Sequence, residues 1–292
     1  MENIKYHAAD GGVFIEGVRD FNPNHTFGCG QCFRWDAESD GSYTGVAFSR
    51  AVNISASDGR IFILGATVDD AKNIWTDYLD LGRDYSIIKK ELLHDENVRR
   101  AIEFGAGIRI LNQEKFECLV SYIISTQNAI PRIKKIVSKL CGMYGDKIEF
   151  SGRTYYSFPT PAQLEGVSAD DLEPLHAGYR AAYIADAVQK VCSGDVDLDR
   201  VSALDTAAAR KELLKIKGVG PKVADCTMLF SMKKSDAFPI DVWVQRTMRT
   251  LYCGEGANLN MIQAKAAQIF GEYAGIAQQY LFYYARENAM KR

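Results

Sequence analysis

Residues 217–222 read Lys-Gly-Val-Gly-Pro-Lys between two apolar-periodic segments, and this junction restricts the fold more than any other stretch. Glycines permit positive φ and close approach of another backbone, and a proline suits the first turn of a helix. The pattern predicts two short helices closed into a tight hairpin over 213–231. Amides at such a turn point outward, and a helix N-terminus behind them attracts a phosphate, which makes Gly218 and Gly220 candidate anion contacts.

Lys222 falls in the first turn of the second helix, where the positive dipole end disfavours an ammonium ion. A neutral amine in a cleft is a nucleophile for an electrophilic carbon and forms a Schiff base with an aldehydic one. A solvated lysine near a helix end is the other reading. Asp241 follows Phe238-Pro239-Ile240 and precedes Val242-Trp243-Val244, an N-cap pattern. A cap carboxylate facing a cleft is fixed as well as charged, so it could also stabilise positive charge on a reacting group. Cys226 lies one turn beyond Lys222 on the same face, suited either to the core or to a wall beside a planar ring.

The rest of the chain divides by period. Through residue 66, short β-branched and aromatic runs at Val13–Val18, Gln31–Trp35, Tyr43–Phe48, Ala51–Ser55 and Arg60–Leu64 are punctuated by Asp-Gly pairs at 10–11, 40–41 and 58–59. These predict an antiparallel sheet, with helices at Val68–Leu81 and Ser86–His94 to cover its apolar face. Beyond residue 95 the periodicity is helical throughout, and no strand is expected. The fold class is α+β, with a sheet domain over 1–100 and an all-α domain over 101–292. At 292 residues and 47% hydrophobic, the chain can build both cores. A net charge of −2 excludes a globally basic nucleic-acid coat, so any such contact is local. The seven cysteines are scattered and odd in number, which reads as reduced thiols; Cys29 and Cys32 lack the second pair that a metal site needs. No membrane partner is expected, because no apolar run approaches the roughly 20 residues of a membrane span.

The hairpin followed by VADC and then Pro239-Ile240-Asp241 resembles the helix-hairpin-helix (HhH-GPD) DNA glycosylase superfamily, and within it the 8-oxoguanine DNA glycosylase/lyase family. Four further blocks carry the resemblance in family order: GQCFRW (Gly30–Trp35), the long segment Gly107–Ile133 ending in STQNAIPRI, GYRAAYI (Gly178–Ile184) and GIAQQYLF (Gly275–Phe282). It implies a sheet of TATA-binding-protein type followed by a helical HhH-GPD region, acting on oxidised guanine flipped out of duplex DNA. Position by position it makes Lys222 the Schiff-base nucleophile and Asp241 the essential acid, with β-elimination nicking the strand afterwards. Gly30 resembles the glycine whose carbonyl accepts the N7–H that oxidised guanine has and guanine lacks. Cys226 and Phe282 would sandwich the base, and Gln278 would read its Watson–Crick edge. Asn128 and Tyr179 would fill and wedge the vacated stack, Arg132 and Arg180 would read the orphaned cytosine, and Gly218 and Gly220 would hold the phosphate.

This chain departs from the pattern at three places. Gln127 stands where an asparagine is typical, which predicts relaxed opposite-base selectivity. Trp243 replaces a histidine expected near a phosphate, and Lys217 a proline before the hairpin. The four closely spaced cysteines of iron–sulfur members have no counterpart, since only Cys253 follows the hairpin helix; no cofactor is implied beyond a structural cation on hairpin carbonyls near Leu214–Val219. Alkylbase glycosylases lack the hairpin lysine, and a module that only gripped DNA would need neither Lys222 nor Asp241. The expected protein is a monomeric, cytoplasmic, prokaryotic enzyme whose partner is duplex DNA.

Overall fold

Four short turns and one longer connection order residues 5–64 into one sheet. The computed structural model describes residues 4–289. Strands β1 (Lys5–Ala9), β2 (Gly12–Glu16), β3 (Trp35–Ala37), β4 (Tyr43–Ala47), β5 (Arg50–Ser57) and β6 (Arg60–Leu64) form an antiparallel sheet in the order β1-β2-β6-β5-β4-β3. Asp10-Gly11 and Asp58-Gly59 make the two-residue turns that set the pairs Ala9 with Gly12 and Ser57 with Arg60. One face of the sheet buries Val13, Ile15, Val52, Ile54, Ile61 and Ile63, and Trp75, Tyr78 and Leu79 cover it. Those covering residues come from α2 (Val68–Asp70), a π-helical stretch (Ala71–Trp75) and α3 (Thr76–Tyr78), where one regular helix was expected.

The remaining helices build the larger core. They are α4 (Tyr85–Leu92), α5 (Glu96–Phe104), α6 (Lys115–Ser125), α7 (Ile130–Tyr144), α8 (Arg180–Cys192), α9 (Leu198–Ala203) and α10 (Thr206–Leu213). After them come α11 (Pro221–Ser231), α12 (Val242–Met248), α13 (Leu259–Phe270) and α14 (Ala274–Ala289), with α1 (Pro23–Gly28) earlier in the chain. Helix α6 is buried on nearly every side, which explains its run of Cys118, Leu119, Val120, Ile123 and Ile124. No helix among the described residues is long and apolar enough to cross a membrane.

Four expectations are corrected. The α4 segment does not cover the sheet: Tyr85, Ile88 and Leu92 join the helical core instead. Gln31–Arg34 is no strand. It is an irregular strap whose carbonyls are bonded by side chains rather than by a neighbouring strand, and only Trp35 enters β3. Strands do reappear beyond residue 95, because Ser151-Gly152, both at positive φ, close a hairpin of β7 (Lys147–Phe150) and β8 (Arg153–Tyr156). The helices expected over 160–166 and 168–175 shrink to 3-10 turns at Ala162–Leu164 and Glu173–Leu175, interrupted by Gly166 and by prolines 161 and 174.

Candidate active site

Packing of α6 against α11 places the lysine. Helix α6 presents Cys118, Tyr122 and Ser125 along one face, and α11 presents Lys222, Cys226 and Phe230 opposite. The Cys118 thiol lies 4.0 Å from the Cys226 carbonyl, and the Tyr122 and Phe230 rings stack at 5.6 Å. At the mouth of that contact Lys222 Nζ donates to Ser125 Oγ at 3.1 Å and lies 4.8 Å from the centroid of the Tyr122 ring. Burial pushes the Cys226 thiol up to about 12 despite the Lys222 ammonium beside it, so it stays a neutral apolar wall.

Asp241 is fixed as the N-cap of α12, its Oδ1 accepting the Val244 amide at 2.8 Å. Burial raises its carboxyl above the ordinary aspartate range; the Val244 amide and Lys222 pull it back only in part. Both carboxylate and amine line one cavity of about 1120 Å³. Gly30, Gln127, Asn128, Gly218, Gly220, Trp243 and Phe282 line it too.

Gly30 lies just before the strap, and the carbonyls of its neighbours Gly28, Cys29 and Gln31 are taken. Arg286 Nη2 donates to Gly28 O at 2.6 Å, and Gln279 Nε2 to Cys29 O at 2.9 Å. Gln113 Nε2 and Tyr122 Oη donate to Gln31 O at 2.8 and 3.1 Å. Gly30 O receives only a long 3.5 Å approach from that same Tyr122 hydroxyl, so among Gly28–Gln31 it is the carbonyl left able to accept from a ligand. A side chain is excluded here: φ is +86°, and a Cβ would sit 2.9 Å from Arg286 Nη1 and 3.3 Å from the Phe282 ring.

The hairpin is braced by α8. Gly218 has φ +82°, and a Cβ there would fall 2.2 Å from the Tyr183 ring. Asp186 Oδ2 accepts the Lys217 amide at 2.7 Å, and Lys190 donates to the Lys215 carbonyl. Among the described residues the amides of Gly218, Gly220 and Lys222 donate to no protein acceptor, leaving three N–H groups free for an anion. Among the hairpin carbonyls, Ile216 O takes the Val219 amide and Lys215 O takes the Lys190 ammonium, while among the described residues Leu214 O and Val219 O are left with lone pairs to offer a cation. No cluster of three metal-ligating side chains occurs among the described residues.

Other candidates stand outside the cavity lining. Cys226 and Gln278 are buried; the Gln278 Oε1 has no hydrogen-bond partner. Tyr179 is exposed, and its hydroxyl lies 3.5 Å from Gln127 Oε1. Gln127 itself holds φ +48°, a left-handed conformation that asparagine tolerates better than glutamine. Arg180 is buried, its guanidinium over the Tyr179 ring and donating to the carbonyls of Thr126, Gln127 and Ala177. In this structure it shapes the Gln127 turn from behind. Arg132 is exposed and donates to His176 O at 3.3 Å.

The sequence reading passed over Tyr122 and Ser125, which carry the lysine contacts. Their spacing of three on a helix that also faces Lys222 was the available signal. It passed over Arg286 and the pair of buried Asp225 with half-buried Arg210 as well, joined at 2.7 Å. No spacing marks either of them.

Comparison with known proteins gives the family. A family model described as the N-terminal domain of 8-oxoguanine DNA glycosylase matches residues 13–119. A second, for HhH-GPD superfamily base excision DNA repair proteins, matches residues 120–271. A probable N-glycosylase/DNA lyase of Methanothermobacter thermautotrophicus is 32% identical, covering 68% of this chain and 70% of its own. The Arabidopsis thaliana N-glycosylase/DNA lyase OGG1 is 30% identical, covering 88% and 75%. A crystal structure of the Clostridium acetobutylicum 8-oxoguanine glycosylase/lyase with DNA containing cytosine opposite 8-oxoguanine superposes with a TM-score of 0.96 at 42% identity, over 99% of this chain and 100% of that one.

Proposed function

The chain belongs to the 8-oxoguanine DNA glycosylase branch of the HhH-GPD base excision repair superfamily, a bifunctional glycosylase and lyase, and on that premise we propose how its residues share the work. The largely helical domain (101–292) supplies the chemistry and the hairpin, and the sheet domain (1–100) presents the strap that chooses the base. The observation that carries this is the meeting of Lys222, Asp241, Phe282 and Gly30 in a single cavity, with Gly30 O taking only the long Tyr122 contact.

The free amides of Gly218 and Gly220 hold a backbone phosphate beside the cavity, with Trp243 on the same wall. Tyr179, Asn128 and Gln127 occupy the gap left in the stack, and the extruded purine lies between Cys226 and Phe282. Gly30 O accepts N7–H from oxidised guanine; in ordinary guanine N7 is itself an acceptor, and two lone pairs repel. The orphan Gln278 Oε1 receives a donor from the Watson–Crick edge, relieving the cost of a buried unpaired acceptor.

Lys222 Nζ then attacks C1′ as the N-glycosidic bond breaks and the base leaves with the bonding pair. Asp241, ionised and aimed by the α12 cap, stabilises the positive charge that develops on the sugar. Sugar-ring opening gives the Schiff base, and loss of a C2′ proton with cleavage of the C3′–O bond nicks the strand. This chemistry needs no cofactor. A structural cation on the Leu214 and Val219 carbonyls would only stiffen the hairpin. Because Arg180 is spent on main-chain carbonyls and Gln127 replaces asparagine, Arg132 is left to read the orphaned base, and the opposite-base preference is relaxed. The enzyme works as a cytoplasmic monomer on duplex DNA.

The direct test is base release from duplexes carrying 8-oxoguanine or guanine at one position. Release of the oxidised base with strand nicking, and none of guanine, is expected; equal handling of the two would overturn the reading.

A further inference from the structure

Arg286 lies in the cavity wall beside Gly30 and Phe282, and no step above uses it. The residue is 7% exposed. Its Nε and Nη2 donate to Glu287 Oε1 at 3.0 and 2.9 Å, and Nη2 also to Gly28 O at 2.6 Å. Nη1 has no acceptor among the described residues, yet it sits 2.9 Å from where a Gly30 Cβ would stand. The guanidinium carbon lies 5.5 Å from the Phe282 ring centroid. Nη1 therefore opens on the cavity as an uncommitted N–H donor, facing the place where a base would lie.

We propose that Arg286 is a specificity-determining residue that donates from Nη1 to the C8 carbonyl oxygen of the extruded oxidised guanine. The proposal rests on the glycosylase reading above and deepens it. In oxidised guanine the N7–H that Gly30 O accepts is flanked by two carbonyl oxygens, at C6 and at C8, so a donor next to Gly30 meets one of them. Position along α14 decides which. Gln278, Phe282 and Arg286 are spaced by four and form one row on the helix, so Phe282 stacks on the ring with the other two at opposite ends. Gln278 takes the Watson–Crick end, which includes C6. Arg286 is therefore left with the imidazole end and its C8 oxygen, the atom that oxidation adds. Glu287 balances the guanidinium charge, so the site offers a neutral ligand a directed N–H rather than a bare cation.

The test is a cycle of two proteins and two substrates. Single-turnover release of 8-oxoguanine and 8-thioguanine is measured with the wild type and with Arg286→Met; the sulfur analogue keeps N7–H and replaces the C8 oxygen with a weaker, bulkier acceptor. The wild type should prefer the oxo base, and Arg286→Met should lower the oxo-to-thio ratio by about tenfold, the worth of one charge-assisted hydrogen bond. If Arg286 merely props Gly28 and Gly30, both substrates fall by the same factor, the ratio holds, and the proposal is overturned. Should Arg286→Met fail to fold, Arg286→Lys is scored by the same ratio: an intermediate value supports the proposal and an unchanged one overturns it. A wild type that releases neither base overturns the glycosylase reading instead.

Discussion

Asp241 is both a helix cap and a charge, and substitution can separate the two. Asparagine caps as well as aspartate, so Asp241→Asn should melt close to the wild type while single-turnover base release falls by about 10²–10⁴. Asp241→Ala should lose the same activity and about 1 kcal/mol of stability as well. The pH profile follows from burial, which raises this carboxyl. As pH falls, Asp241 takes up its proton above the ordinary aspartate range, so the acid limb of kcat/KM lies at higher pH than a solvated aspartate would give. The native state binds that proton more readily than the unfolded chain does, so Asp241 contributes to stability below its raised pKa and not above it. Asp241→Asn should remove this term. At Gln127 the prediction concerns selectivity: release of 8-oxoguanine opposite each of the four bases should vary by less than about tenfold, or about 1.4 kcal/mol. A steep preference for cytosine would contradict the assignment of Arg180 and Gln127.

Among elements, the hairpin is where sequence and structure agree best. The α11 bounds Pro221–Ser231 follow directly from the proline and the apolar period, and Asp241 caps α12 as its neighbours predict. Glycines at a turn have a local cause, and local causes are legible. Gly218→Ala should cost more than about 2 kcal/mol in a denaturant melt, since it adds left-handed strain to a clash with the Tyr183 ring. Gly220→Ala, with open space around it and φ −94°, should cost less. Weaker binding of undamaged duplex should accompany the Gly218 change only. What was not legible depends on distant partners. The strap Gln31–Arg34 carries strand-like residues, but side chains of α6 and of the segment before it claim its hydrogen bonds. β1 was overlooked although its turn, Asp10-Gly11, had been identified, because His7-Ala8-Ala9 is weakly strand-forming and mostly exposed.

At the scale of the molecule, the strap is where sheet and helices share responsibility for the base. Arg34, the last residue of the strap, bonds Glu117 of α6 at 3.1 Å with both side chains nearly buried, and donates to Tyr156 O of β8. Removing one partner leaves a buried charge, so Arg34→Leu should lower stability by about 3–5 kcal/mol, while the double change with Glu117→Leu should recover much of it. A thermal melt of the three variants decides the matter. The same arrangement explains why Lys222 could be singled out from one hairpin while its substrate could not: the lysine is local, but Gly30, Phe282 and Arg286 converge on it from both ends of the chain. Borohydride reduction during reaction with a duplex containing 8-oxoguanine tests that convergence most directly. The wild type should be trapped as a covalent protein–DNA adduct, and Lys222→Gln, folded and still binding DNA, should give none. An adduct that persists in Lys222→Gln, or base release by the wild type with no adduct at all, would contradict the account.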